Sequence, residues 1–159
     1  MFIIILLGSS PYDKINQAQY LKNKFNYSII SFNKILKNLI KKKSLFFKIL
    51  SNNINNNNIL LNVIILKIIS NKIRRKINSN GIVIYGYPNN LQQLKDLREI
   101  LKHYNINKNV YYIHIKIKRN LKYKKEILYN LFKLCKNFIN FFGFKNIIKK
   151  QIIQYLSFL

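Results

Sequence analysis

The opening run Phe2-Ile3-Ile4-Ile5-Leu6-Leu7, closed by Gly8, constrains the fold more than any other stretch of the chain. Six consecutive apolar residues, half of them β-branched, leave no polar face for solvent. A strand of this kind must be covered on both sides, which is the habit of a central strand in a parallel sheet. Two further runs fit the same sheet. Ile82-Val83-Ile84-Tyr85 follows Gly81 and stops at Gly86-Tyr87-Pro88, and Asn109 to Ile117 alternates Val110, Tyr112 and His114 with Tyr111, Ile113 and Ile115. A shorter apolar stretch, Tyr27 to Ile30, precedes Ser31, a residue suited to cap a helix.

The segments between these runs have helical spacing. Ile15, Ala18, Leu21 and Phe25 predict a helix from about Lys14 to Phe25, and Ile35, Leu36, Leu39 and Ile40 predict another after Ser31. Leu45 to about Ile77 is helical by periodicity, interrupted by the Asn-rich stretch 52–58. Gln92 to His103 is helical, and so is Asn120 to the end, with Gly143 as a break. Strands alternating with helices predict an α/β domain of three layers, a parallel sheet of four or five strands flanked by helices. No linker or repeat divides residues 1–159, so a single domain is expected.

Charge raises a question of function. Lys+Arg number 29 against 4 Asp+Glu, for a formal net charge of +25. A nucleic-acid or other polyanionic partner is one reading. Base composition is the other, and the preferred one: Lys, Ile and Asn fill about half the chain and have A/T-rich codons, as drift in a reduced genome would favour. The lone Cys135 forms no internal disulfide, and no zinc-type cluster occurs. His103 and His114 have no Asp or Ser partner in a catalytic spacing, and the aromatic residues sit on apolar faces, where packing accounts for them. The apolar stretch Ile59 to Ile69 is broken by Asn62 and Lys67 and falls short of a membrane span, and Met1 to Leu7 has no basic flank of a leader. A cytoplasmic protein is expected.

The strand, Gly8 and the following helix have the form of a phosphate-binding unit, in which backbone N–H groups converge on phosphates and a lysine reaches the terminal groups. Gly8 and Lys14 have the spacing of its first glycine and lysine. The longer stretch Ile4-Ile5-Leu6-Leu7-Gly8-Ser9-Ser10-Pro11-Tyr12-Asp13-Lys14-Ile15-Asn16-Gln17-Ala18-Gln19 resembles the adenylate kinase opening, Ile-Ile-Leu-Leu-Gly-x-Pro-Gly-x-Gly-Lys-Gly-Thr-Gln-Ala-x. Ile30-Ser31 with Ile35-Leu36-Lys37 is similar to that family's Ile-Ser-Thr-Gly-Asp-x-Leu-Arg. Ile84-Tyr85-Gly86-Tyr87-Pro88-Asn89 with Gln93 is similar to its Leu-Asp-Gly-Phe-Pro-Arg-x-x-x-Gln. The three motifs are co-linear, nearly at the family's spacing, over roughly the first 117 residues.

The resemblance implies a P-loop kinase fold and the reaction ATP + AMP to 2 ADP, with Mg²⁺ carried by ATP and a monomer sufficient. It implies an ATP phosphate loop at 8–16, through Gly8, Pro11, Tyr12, Asp13, Lys14, Ile15 and Asn16, with Lys14 on the transferring phosphoryl group. It implies an AMP side over about 31–60 and beyond, with Ser31, Phe32, Lys37, Asn58, Ile59, Leu60, Gly86, Asn89 and Gln93 in the matching places. Tyr87-Pro88 corresponds to a cis peptide bond of the family.

The departures from the family's pattern are physical losses. Pro11 replaces a glycine and has no N–H to offer phosphate. Asp13 replaces another, and at about 5 Å with an effective dielectric near 20 its charge repels each phosphate charge by the order of 3 kcal/mol. Ile15 and Asn16 replace Gly and Thr, and the uncharged Asn89 replaces a bidentate arginine. After the third strand the chain runs directly into Lys118-Arg119-Asn120, leaving a reduced helical region, 119–159, without room for an arginine-bearing lid. Slowed activity is expected, and the alternative is a non-catalytic relic of the fold that binds RNA or other polyanions.

Overall fold

The computed structural model describes residues 1–8, 10–41, 59–106, 109–117, 135, 137–143 and 145–157. Within them lies a five-stranded, all-parallel sheet of order β2-β3-β1-β4-β5. The strands are β1 (Phe2–Leu7), β2 (Ser28–Ser31), β3 (Gly81–Tyr85), β4 (Val110–Ile117) and β5 (Phe138–Gly143). The helices are α1 (Pro11–Phe25), α2 (Phe32–Lys41), α3 (Ile59–Arg74), α4 (Leu91–His103) and α5 (Lys145–Ser157). The expected α/β architecture of a parallel sheet between helical layers is what the chain adopts.

β1 takes the centre because both its faces are apolar. Ile3, Ile5 and Leu7 join one cluster with Ile65, Ile69 and Ile73 of α3 and Leu94, Leu97 and Leu101 of α4. Ile4 and Leu6 join the other with Ala18 and Leu21 of α1 and Ile148 and Ile152 of α5. Each fully buried isoleucine stabilises the fold by about 1.5–3 kcal/mol relative to exposure. The strand therefore anchors three layers at once, and whatever follows Leu7 is held at a fixed point above the sheet.

Two boundaries differ from the sequence reading. The expected all-helical C-terminal region contains β5, because Phe138, Ile139 and Phe141 make a short aromatic and β-branched run that suits a pleated surface. It is aligned at its start by Asn137, whose carbonyl accepts from Tyr112 N at 2.9 Å and whose side-chain amide donates to Val110 O at 3.2 Å. The first helix begins at Pro11 rather than about Lys14. Ser10 accepts from Asp13 N through its side chain, and proline at the first helical position loses no intrahelical bond. Asn26, in the left-handed region at φ 56°, ends the same helix.

Asn58 and the region 118–134, with Arg119 and the lysines beside it, lie outside the described residues. Among the described residues no helix is long and apolar enough to cross a membrane. Cys135 is a free, buried thiol, in irregular backbone rather than the expected helix. Burial pushes its thiol up from the ordinary range, partly opposed by a hydrogen bond with Tyr112.

Candidate active site

The carboxyl ends of β1 and β3 converge on one rim of the sheet. Leu6 and Tyr85 are register partners, so Gly8 and Gly86 emerge side by side from adjacent parallel strands. Chain reversal at such a rim is where open parallel sheets hold ligands.

On the β1 side, Gly8 has φ +141°, and a Cβ there would meet the Ile115 carbonyl oxygen at 2.6 Å. Only glycine allows the chain to leave β1 so close to β4. The Lys14 side chain folds back over this turn and its Nζ donates to Gly8 O at 2.6 Å. Burial holds the ammonium below the usual lysine range. Asp13 N is taken by Ser10 Oγ at 3.3 Å and Lys14 N by Ser10 O at 3.4 Å, while Pro11 has no N–H. The early helix start thus engages donors that an open phosphate loop would leave free.

Not every group there is satisfied. Asn16 Nδ2 and Gln17 Oε1 are buried without hydrogen-bond partners, three residues or fewer beyond Lys14. An orphaned amide costs about 1–3 kcal/mol, which a ligand oxygen could recover at Asn16. Tyr12 and Ile15 are exposed at 65% and 45%, so neither walls a closed pocket in this state.

The β3 side is more completely built. Gly86 sits at φ +79°, and a Cβ would come within 3.3 Å of the Phe32 Cβ. The Tyr87-Pro88 bond is cis. Phe32 packs its ring against Tyr87 at 5.6 Å, and both are buried. Gln93 is 7% exposed, and its amide is held at both ends. Its Oε1 accepts from Asn89 N at 2.8 Å, and its Nε2 donates to Asn62 Oδ1 at 3.2 Å. The Asn89 side chain donates to Gly86 O at 2.9 Å. Asn90 caps α4 by accepting from Gln93 N at 2.9 Å. One N–H and one lone pair of the Gln93 amide remain for a ligand.

Of the other residues singled out from sequence, Ser31 caps α2 by accepting from Lys34 N at 3.3 Å. Lys37 is exposed on α2, and Ile59 and Leu60 open α3. His103 is exposed, and His114 is buried with its Nδ1 2.8 Å from Asn140 Oδ1. Sequence reasoning did not find Asn62. Its contact with Gln93 spans 31 residues and two helices, and nothing local marks it.

Among the described residues no group of three or more His, Cys, Asp or Glu could hold a metal ion. The side chains near Lys14 offer an amide and one carboxylate, Asn16 and Asp13, a donor set that fits a cation arriving on a phosphate chain rather than one held by protein alone.

No protein-family model matches the chain. Two curated relatives do. The adenylate kinase of Buchnera aphidicola subsp. Baizongia pistaciae (strain Bp) is 34% identical over 95 residues, 60% of this chain and 44% of the relative. The adenylate kinase of Buchnera aphidicola subsp. Cinara cedri (strain Cc) is 36% identical over 115 residues, 72% of this chain and 50% of the relative. The chain spans about half the length of the curated relatives it matches.

Proposed function

We propose, from the premise that this is an adenylate kinase-like chain, that it transfers a phosphoryl group from ATP to AMP, giving 2 ADP, at a reduced rate. The observation that carries the reading is the pairing of Leu6 with Tyr85. It sets the lysine-bearing turn after β1 beside the Gly86–Gln93 turn after β3, so two nucleotides bound there would meet end to end. In-line transfer requires little more than that positioning, with cations to neutralise the charge that develops.

In this reading Gly8 to Asn16 receive the ATP phosphates. Lys14 leaves the Gly8 carbonyl for the transferring group, and Asn16 turns its orphaned amide to a phosphate oxygen. Asn16 and Asp13 would be the side chains available to a Mg²⁺ ion carried by ATP, which would supply neutralisation of the β and γ charges. Ser31, Phe32, Lys37, Ile59, Leu60, Gly86 and Asn89, together with Asn58, form the AMP side. Gln93 reads the adenine edge with its remaining donor and acceptor. One nucleoside-monophosphate-kinase-like domain, acting as a monomer in the cytoplasm, suffices.

A second reading has its own support. The helix start at Pro11 closes the turn that phosphates would enter, which favours a non-catalytic relic that binds RNA or other polyanions by charge. A coupled assay of ADP formation from ATP and AMP separates the two. Wild type is expected to be active, and Lys14→Ala to lose about 10³-fold, the scale of removing a charge-stabilising group from phosphoryl transfer. No ADP from a folded wild-type sample would sink the kinase reading in favour of the relic.

A further inference from the structure

A cleft of about 480 Å³ runs along the outer edge of β2, walled by the C-terminal half of α1, by α2 and by the end of α3. Lys22, Lys34, Lys72 and Lys76 line it, and no acidic residue among the described ones does. Among the described residues the carboxylates lie elsewhere, Asp13 in the first turn of α1 and Asp96 and Glu99 on α4. Of the described residues assigned above to nucleotide, Ser31 touches the cleft.

Four ammonium groups around a concave wall repel one another and focus a positive potential into the space between them. One is already fixed on the strand: Lys76 Nζ donates to Ser28 Oγ at 3.2 Å. Among the described residues β2 is the last strand of the sheet on this side and pairs with β3, so its outer edge turns backbone N–H groups, alternating with carbonyls, toward the same space. Lysines act as point charges toward phosphate, and hydroxyl and backbone donors complete the coordination of its oxygens. The strand is four residues long, about 13 Å, and the volume falls in the small-ligand range. A single small anion would reach few of the four charges, and a chain of linked anions reaches more.

We propose that this cleft is a second anion site, taking a small ligand with two or more linked phosphates, and separate from the turn at Lys14. The proposal stands on the lysine geometry and does not require the kinase reading. The shared chemistry could come from an inorganic oligophosphate or from the phosphate tail of a nucleotide.

The test is calorimetric titration of the full chain with inorganic tripolyphosphate at about 0.1 M salt, where long-range surface attraction is largely screened. Lys72→Gln with Lys76→Gln should weaken binding about tenfold, while Lys95→Gln with Lys102→Gln, which removes the same charge from α4, should change it less than about twofold. Lys14→Ala should keep the tripolyphosphate site of the cleft, losing at most a second, separate site at the turn after β1. In that variant, displacement of tripolyphosphate by ATP assigns the nucleotide tail as a ligand of the cleft, and failure to displace assigns the inorganic anion; either result supports the site. Equal weakening by the two double variants would reduce the site to diffuse charge. Loss of binding in Lys14→Ala, or no binding by wild type, overturns it equally. The ADP assay is a separate readout, so failure of the cleft and failure of the kinase reading are distinguishable.

Discussion

The two turns that meet on the sheet rim differ in how they are held. The turn after β3 is a network: Gln93 is clamped by Asn89 and Asn62, Asn90 caps the helix beneath it, and Phe32 packs on Tyr87. Among the described residues, the turn after β1 rests on a glycine, a proline, the Ser10 cap and one lysine bent back on its own backbone, with no side chain of another element bonded to it in the contacts given above. A base-reading surface can be assembled from side chains of several elements, so substitution erodes it slowly. A phosphate cradle is made of backbone N–H groups, and one proline or one early helical turn removes several at once. On the proposed function, substitution would therefore reach the phosphate side first.

The sharpest way to break this comparison is to add a methyl group to each glycine. At Gly8 the new Cβ would stand 2.6 Å from a backbone oxygen of β4, at a φ that side chains avoid. The sheet cannot yield there, and Gly8→Ala is expected to cost about 3 kcal/mol or more. At Gly86 the nearest atom is a side-chain carbon at 3.3 Å, and φ +79° lies nearer the left-handed well. Gly86→Ala is expected to cost about 1–2 kcal/mol. Urea unfolding of the ligand-free chains measures both. Equal costs would mean that the β1 turn is as adaptable as the β3 turn.

A gain-of-function change tests the same contrast from the other side. Pro11→Gly with Asp13→Gly restores one N–H and removes one negative charge from the first turn of α1. On the proposed function, ATP affinity is expected to rise about thirtyfold, since each of the two changes is worth on the order of 1 kcal/mol in a partly solvated site. AMP affinity should stay within about twofold, because neither residue reaches the β3 turn. Calorimetric titration with each nucleotide reads both numbers. A rise in AMP affinity of the same size would show that the two turns are one coupled unit.

If the proposed function holds, Asn62→Ala should give a smaller effect, confined to the other nucleotide. It frees one end of the Gln93 amide, so the Michaelis constant for AMP is expected to rise about threefold to tenfold, the value of one hydrogen bond. The constant for ATP should not move. If both constants rise together, Asn62 supports the fold rather than the orientation of Gln93.

What was legible in the chain follows the same division. β1 could be read from six apolar residues, and α4 from Leu94, Leu97 and Leu101, because local pattern and burial agree there. β5 could not, since Phe138 to Gly143 fits a helix as well as a strand until Asn137 and β4 are in place beside it. The helix start at Pro11 was hidden by the motif itself: Gly8 and Lys14 keep phosphate-loop spacing, while Ser10 and Pro11 carry an ordinary helix-start signal. Local capping chemistry prevailed over spacing. The Asn62–Gln93 contact and the lysine cleft on β2 are tertiary, and no window of sequence contains either.

The smallest effect expected concerns Lys14, and its sign is specific. Burial lowers its pKa below 10.5, so between the lowered value and 10.5 the unfolded chain holds more protons than the folded one. Stability then rises with pH through that window, and the cost of burying the ammonium is fully present only below it. Lys14→Met abolishes this titration. The stability difference between the two proteins should shift toward wild type as pH rises toward 10.5, by less than about 1 kcal/mol because the side chain is partly solvated. A bound phosphate chain reverses the preference, favouring the ammonium form. ATP binding in the same window should therefore take up a proton, seen as a buffer-dependent heat that Lys14→Met lacks. A stability difference that stays flat with pH would mean that the ammonium is already as well solvated as in the unfolded chain. The turn after β1 would then be too open to grip phosphate, and the contrast with the turn after β3 would be larger than the hydrogen bonds alone indicate.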